Sequence, residues 1–138
     1  MACFETLEEA RAFAARDRYA AMSGITVDAV GDGWCVCGME ITDLHRNGLG
    51  QVMGGAVFTL ADLTFAVAAN SRHFPTVSQH MSVDFLGTAK GSRLFARAEC
   101  RKDGRTLCVY NINVTDDAGR DIAQITGTGY KLPSAPAT

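Results

Sequence analysis

The sequence lacks the features that mark several protein classes. No basic region followed by an apolar run comes after Met1, so no secretory signal is expected. The histidines and cysteines show no zinc-ligand spacing, no CxxC pair and no HExxH motif, so no metal site is expected. A GxSxG motif and a phosphate-binding loop are also absent. The net charge is only −2, and aromatic residues do not interleave with basic ones, which argues against nucleic acid or an anionic membrane as a partner.

Long hydrophobic runs are scarce as well. The least charged stretch, residues 51–71, is long enough to span a bilayer, but it contains a glycine pair, Asp62 and Asn70. A buried helix fits this composition better than a membrane span.

The 138 residues predict one domain, 1–138, and at 47% apolar content they can build a core without a disulfide or metal. The five scattered cysteines predict reduced thiols and a cytoplasmic location. Cys35 and Cys37 alternate on one side of a predicted strand, which favours small core residues over a redox pair.

The hydrophobic periodicity predicts an α+β fold. Thr6 and Glu9 form a capping-box pattern, and the periodicity behind them predicts a helix over 6–22 that ends at Gly24. A long apolar helix is expected over 54–71, after a polar loop over 42–53. Strands are predicted over 25–30, 34–41, 76–86, 93–101, 107–116 and 122–132. A sheet of five or six strands must curl to cover one long helix.

Gly54 and Gly55 begin the long helix, where the first N–H groups have no partner in the helix. Without side chains, a carbonyl oxygen could approach these N–H groups as in an oxyanion hole. Close helix–sheet packing is the alternative explanation for the pair.

Asp62 is the only formal charge from Gln51 to Ser71. Desolvation is expected to raise the pKa of such a carboxyl group and make it a better base. Alternatively, Thr59 or Thr64 could satisfy it, or it could face water.

Asp62 lies about 12 Å along the helix axis from Gly54, which is too far for both to act on one reacting centre. If both are catalytic, they should belong to different copies of the chain, related by a two-fold axis.

The segment from His45 to Asp62 resembles the motif H-x-N-x-x-G-x-x-(H)-G-G-x-x-x-x-L-x-D of the hotdog-fold acyl-CoA thioesterases, most closely their phenylacetate-pathway (PaaI-like) branch. The matching residues are His45, Asn47, Gly50, Gly54, Gly55, Leu60 and Asp62. The resemblance implies a helix wrapped by a curled sheet and a homodimer that often pairs into a homotetramer. It also implies hydrolysis of an acyl-CoA, which could carry an aromatic acyl group, without a cofactor.

The same resemblance implies the roles of individual residues. Asp62 would activate a water or attack the thioester directly, and the Gly54 N–H would polarise the carbonyl. Asn47 would orient the water or the carbonyl, and Ser78 lies near the position of a hydroxyl that some relatives use. Met53 stands where the family usually has a histidine.

Further substrate contacts are expected from basic and aromatic residues. Lys90 and Arg93 are candidates for the coenzyme A phosphates, with solvated surface charges as the alternative. Phe58 and Phe65 could line an acyl pocket or belong to the core. A binding module that holds an acyl-CoA without hydrolysing it remains the alternative function, and a hotdog dehydratase is a third.

Overall fold

Small and apolar residues occupy most positions between Gly54 and Ser71, and this segment forms the longest helix of the computed structural model, which describes residues 3–134. The helices are α1 (Leu7–Ala15), α2 (Arg18–Met22) and α3 (Gly54–Arg72), with a short 3-10 helix at Asp43–His45. The strands are β1 (Ile25–Gly31), β2 (Trp34–Glu40), β3 (Thr76–Phe85), β4 (Arg93–Asp103), β5 (Leu107–Asp116) and β6 (Asp121–Lys131).

The six strands form one antiparallel sheet in the order β1-β2-β4-β5-β6-β3. Every strand contacts α3, so the sheet curls around the helix as the sequence predicts. Alternate residues of β4 and β5, including Leu94, Tyr110 and Ile112, are buried against it. Cys35 and Cys37 are fully buried in β2, which confirms the prediction of core cysteines. The long helix and the α+β class are therefore confirmed.

The N-terminal helix is the main departure from the predicted elements. The periodicity predicts one helix over 6–22, but the chain forms α1 and α2 with a break at Arg16. The Asp17 side chain causes the restart, because it accepts the Ala20 N–H at 3.3 Å and caps α2. The Thr6 cap is as predicted, with its hydroxyl accepting the Glu9 N–H. Gly24, with φ of 81°, ends the segment.

One face of α3 has no sheet against it. Gly55 is exposed, and Phe58, Thr59, Asp62 and Ala66 are only partly buried, whereas the other faces of the helix are buried. The spacing of these residues places them along one stripe of the helix, here called the open face of α3. Among the described residues, no helix is long and apolar enough to cross a membrane.

Strand β3 lies at one edge of the sheet and pairs only with β6. Seven of its ten residues are exposed and two are partly buried, and Val77 and Phe85 are exposed by 45% and 57%. The side chain of Asn70 fixes the start of the strand, since it accepts the Thr76 N–H at 2.8 Å and donates to the Thr76 carbonyl at 3.1 Å. The sheet therefore presents a long edge with unpaired backbone groups.

Candidate active site

The first turn of α3 presents two backbone donors. The Ala56 and Val57 N–H groups both donate to the Met53 carbonyl, at 3.0 and 3.3 Å. The Gly54 and Gly55 N–H groups donate to no acceptor within residues 3–134. These two groups lie at the positive end of the helix dipole, so they can stabilise a carbonyl oxygen that gains negative charge.

The two glycines differ in what surrounds them. A Cβ at Gly54 would lie 3.1 Å from the Phe85 ring, whereas a Cβ at Gly55 would meet nothing within 4 Å. Gly54 therefore serves close packing as well as exposing its N–H, and Gly55 faces open space. Gly54 also borders a groove of about 260 Å³, which Phe85 at the end of β3 and Thr88 and Ala89 in the following segment also line.

Asn47 is held in the turn that leads into α3. Its Oδ1 accepts the N–H groups of Leu49 and Gln51, at 2.9 and 3.1 Å. The backbone closes the same turn, because the Asn47 N–H donates to the Gln51 carbonyl at 2.7 Å. Asn47 therefore shapes this turn through its side-chain oxygen, and its amide nitrogen remains to donate to a ligand.

His45 connects the same loop to the N-terminal helices. The ring is buried, its Nδ1 accepts the Thr42 N–H at 3.0 Å, and its Nε2 donates to the Ser23 carbonyl at 2.8 Å. The His45 carbonyl accepts the Met53 N–H at 2.8 Å. This motif histidine therefore positions the loop and the start of α3.

Asp62 projects from the open face of α3 and is partly buried. Burial raises the pKa of its carboxyl group, and the negative charge of Asp17 raises it further. The two threonines that could have satisfied Asp62 are bonded elsewhere, because Thr59 donates to the Gly55 carbonyl at 2.8 Å and Thr64 to the Leu60 carbonyl at 2.7 Å. Within the described residues, Asp62 accepts no hydrogen bond and forms no ion pair.

One chain does not bring the candidate base and the two N–H donors together. Asp62 and Gly54 lie on the same straight helix, eight residues apart, which is about 12 Å along the axis. The groove beside Gly54 is lined by neither Asp62 nor its neighbours. The separation expected from the sequence is therefore present in the fold.

The predicted substrate contacts have different surroundings. Phe58 lies on the open face of α3, and Met53 is 55% exposed beside Gly55 in a groove of about 220 Å³. Phe65 is only 1% exposed and packs edge-to-face on Tyr110, so it is a core residue of this chain. Ser78 is exposed on β3, next to an irregularity in its pairing with β6.

The two basic candidates also differ. Lys90 is exposed in the loop after β3, and its backbone N–H and that of Gly91 donate to one oxygen of Asp116, at 2.9 and 3.2 Å. Arg93 already has an anionic neighbour, since its guanidinium donates to Thr26 at 3.0 Å and lies 3.7 Å from Asp28. A phosphate at Arg93 would compete with that carboxylate, whereas the Lys90 ammonium group forms no ion pair within residues 3–134.

Sequence reasoning did not place Asp17 and Phe85 in the site. Asp17 acts on Asp62 from α2, and an N-cap pattern at Asp17 would have predicted the helix break that puts it there. Phe85 contacts Gly54 because of how β3 ends over α3, and no local sequence pattern indicates this contact. No group of three or more His, Cys, Asp or Glu side chains in residues 3–134 is placed to hold a metal ion.

Comparison with known proteins gives consistent matches. The family model described as the thioesterase superfamily matches residues 49–123. The acyl-coenzyme A thioesterase PaaI of Escherichia coli (strain K12) is 30% identical over 126 residues, which are 91% of this chain and 90% of that protein.

Solved structures agree in fold over most of the chain. The structure of E. coli PaaI matches with a TM-score of 0.81 and 28% identity, covering 93% of this chain and 97% of that one. A hypothetical thioesterase of Streptococcus pneumoniae TIGR4 with coenzyme A has a TM-score of 0.79 and 25% identity, covering 86% and 95% of the two chains. A Streptococcus mutans UA159 protein bound to acetyl CoA has a TM-score of 0.75 and 27% identity, covering 78% and 88%.

Proposed function

Because the chain belongs to the thioesterase superfamily and has the hotdog fold of PaaI, we propose that it hydrolyses an acyl-CoA to a free acid and coenzyme A. The site would lie between two copies of the chain, with Asp62 of one copy facing Gly54 of the partner subunit. The observation that carries this proposal is Asp62 itself, a partly buried carboxylate with a raised pKa and no partner among the described residues.

Two features of the fold support a two-chain site. The open face of α3 carries Asp62 on a surface that no strand covers, and β3 offers a long unpaired edge at the same time. Pairing of two copies about a two-fold axis would cover both surfaces. It would also bring Asp62 of one copy close to Gly54 of the partner subunit, whereas the two residues lie about 12 Å apart along the helix of a single chain. The dimer is expected to pair further into a tetramer.

The reaction would begin with a water held near Asp62. The Asp62 carboxylate takes a proton from this water, and the water oxygen attacks the thioester carbonyl carbon. The carbonyl oxygen becomes an oxyanion that accepts hydrogen bonds from the Gly54 and Gly55 N–H groups, while the Asn47 amide orients the water or the carbonyl. The carbon–sulfur bond then breaks, the thiolate of coenzyme A takes up the proton, and the acid is released.

The same proposal assigns substrate contacts to basic residues and to residues near α3. The exposed Lys90 would contact the phosphates of coenzyme A, with Arg93 as a second contact if it exchanges Asp28 for phosphate. Three further residues would contact the thioester or the acyl group. They are Met53 at the start of α3, Phe58 on its open face and Ser78 on β3. Coenzyme A and acetyl CoA in two of the matched structures support a ligand of this class.

The substitution Asp62→Asn tests the base. It keeps the size of the side chain but cannot accept a proton, so kcat should fall by about 10²–10⁴-fold, the usual contribution of a general base. Free thiol release from aromatic, short and long acyl-CoAs is the measurement, and Asp43→Asn, at an exposed carboxylate in the 3-10 helix before α3, is the control. Turnover by Asp62→Asn at the wild-type rate contradicts the assignment.

A binding module is the second candidate, and Met53 favours it. A methionine cannot donate the hydrogen bond that a histidine would supply at this position, and it makes no side-chain cap to α3. If the chain only binds, acyl-CoA will protect it against thermal unfolding while no free thiol appears in either wild type or Asp62→Asn.

We propose the reducing cytoplasm as the place of action. Cys35 and Cys37 lie with their sulfur atoms 3.7 Å apart and remain free thiols, as do Cys100 and Cys108. Titration of thiols in the unfolded protein from freshly lysed cells should count all five cysteines. A lower count would contradict this location.

A further inference from the structure

A groove lies directly beyond Asp62 along α3. It has a volume of about 370 Å³ and runs between the helix and the α1–α2 junction. Phe13 and Phe74 form its aromatic walls, and Leu63 and Ala66 of α3 form its floor. Ala66 is also part of the open face of α3, one helical turn after Asp62. The groove and the candidate base therefore share one surface.

The groove has charged residues as well as apolar ones in its lining. Asp17 lines the groove, and its charge acts on the Asp62 carboxyl group, so the two side chains are near one another. Arg16 is the second charged residue that lines the groove. The interior, by contrast, is made of aromatic, leucine and alanine side chains, and such a surface favours an apolar ligand with its polar end toward Asp62.

The aromatic walls are arranged to receive a further ring or chain. Phe13 and Phe74 lie edge-to-face, with centroids 6.0 Å apart, and Phe74 is 51% exposed in the single chain. A cavity of about 150 Å³ is enough to hold benzene, so this open groove has room for one ring or a medium aliphatic chain. The exposed face of Phe74 would lose its water contacts when such a group binds.

We propose that this groove receives the acyl group of the thioester, and that Phe13 and Phe74 determine which acyl groups the protein accepts. The proposal rests on the proposed hydrolysis at Asp62 for its orientation, because it places the thioester carbonyl at Asp62 and the acyl group toward Ala66 and Phe74. The coenzyme A arm then leaves the site away from the groove.

The test uses two non-hydrolysable thioethers, S-benzyl-CoA and S-methyl-CoA, whose dissociation constants are measured by calorimetry. Phe74→Ala removes one wall, and Phe13→Ala removes the other. Each substitution should raise the dissociation constant of S-benzyl-CoA by about tenfold or more. The dissociation constant of S-methyl-CoA should stay within about twofold of the wild-type value. Phe74→Leu, which keeps an apolar side chain, should fall between wild type and Phe74→Ala.

Two controls test whether the changes in affinity arise in the groove. Leu107→Ala, a half-exposed apolar residue on β5 outside the groove, should change neither affinity. Thermal melts of each variant identify loss of folding, and Phe74 is exposed enough that its truncation should leave the core intact.

The outcomes separate the groove from the hydrolysis. Equal weakening of both thioethers would show that the groove holds the coenzyme A arm, and no weakening of either would leave it without a role; both overturn the proposal. If the substitutions weaken S-benzyl-CoA binding selectively but wild type releases no thiol from benzoyl-CoA, the proposed hydrolysis is contradicted and the role of the groove is retained. If wild type releases thiol and Phe74→Ala has the same selectivity between benzoyl-CoA and acetyl-CoA as wild type, the role of the groove is contradicted and the proposed hydrolysis is retained.

Discussion

At the scale of single residues, two carboxylates from different helices influence one another. Asp62 is partly buried on α3, and Asp17 caps α2 nearby. Burial is the larger cause of the raised pKa of Asp62, and repulsion by Asp17 is the smaller one. A base with a raised pKa holds a proton more strongly once it has taken one, which suits it to activate a water near neutral pH.

The activity of the enzyme should therefore depend on pH through Asp62. As the pH falls through the raised pKa of Asp62, the base becomes protonated and kcat/KM should decline. Asp17→Asn removes the repulsion while keeping a residue that caps helices well, so the declining limb should move to lower pH. A pH profile of kcat/KM for both proteins measures this shift, and superimposable acid limbs would contradict the role of Asp17.

The same carboxyl group should reduce stability at neutral pH. Since folding raises its pKa, the folded state binds the proton more tightly than the unfolded state, and stability falls as the pH rises through this raised value. Asp62→Asn removes this cost, so the variant should melt at a higher temperature than wild type at pH 7. Near pH 3, where both states are protonated in wild type, the difference should shrink.

At the scale of elements, the first turn of α3 combines packing with exposure. Gly54 lies against the Phe85 ring, so it has no room for a side chain unless the ring moves, whereas Gly55 has space around it. A glycine in a helix with free space is unfavourable for the stability of a single chain. Its presence is explained if the partner or the substrate occupies that space.

Gly55→Ala distinguishes the two surroundings. In the single chain it should add about 0.5–1 kcal/mol of stability, because alanine loses less entropy on folding. In the assembled protein, the new methyl group should obstruct the oxyanion site or the interface and lower kcat/KM. Unfolding in denaturant and thiol release are measured on the same preparation, and a variant that is both more stable and fully active would show that nothing approaches Gly55.

The loop after β3 depends on a carboxylate in β5. Asp116 is buried and accepts N–H groups from Lys90, Gly91, Ala118 and Arg120. The hydrogen bond from Lys90 is the largest cause of the lowered pKa of Asp116. Asp116 therefore fixes the backbone that presents the Lys90 side chain.

Asp116→Asn should loosen this loop. A lowered folded pKa means that the carboxylate contributes its full stability above the ordinary value of about 4 and loses it as the pH falls further. The variant should therefore melt below wild type at pH 7, and the difference should diminish in more acidic solution. Asp121→Asn, an exposed carboxylate nearby, is the control, and equal melting of wild type and Asp116→Asn at pH 7 would contradict this role.

At the scale of the whole molecule, function is expected to need two chains. The sheet covers α3 on every side except the open face, and the edge of β3 is unpaired within one chain. Within the described residues, a single chain therefore leaves α3 uncovered at the residue that we propose as the base.

Thr59→Arg tests this assembly. Thr59 lies on the open face of α3, and two arginines brought together about a two-fold axis would repel each other and lose hydration. The mass in solution should fall to one chain, and activity should be lost with it although Asp62 is unchanged. Gln124→Arg, on the exposed face of β6, is the control; an active single-chain Thr59→Arg would overturn the two-chain site.

Elements with strong local signals were predictable from the sequence. The glycine pair and the apolar run located α3, and turn residues located the strands to within a few positions. The break between α1 and α2 was missed because the apolar spacing continues through Arg16, whereas the Asp17 cap interrupts the helix. The surroundings of Phe65 were left open by the sequence, since an aromatic residue on a buried helix can face either the core or a pocket.

The amino-acid order alone determined the long helix, the strands and the spacing of Asn47, Gly54 and Asp62, because these depend on local periodicity and on distance along one helix axis. Only the tertiary structure decided that Asp17 approaches Asp62, that Phe85 covers Gly54 and that Phe13 and Phe74 form a groove. These contacts join residues far apart in the chain, and they depend on how the sheet curls around α3, which no local pattern specifies.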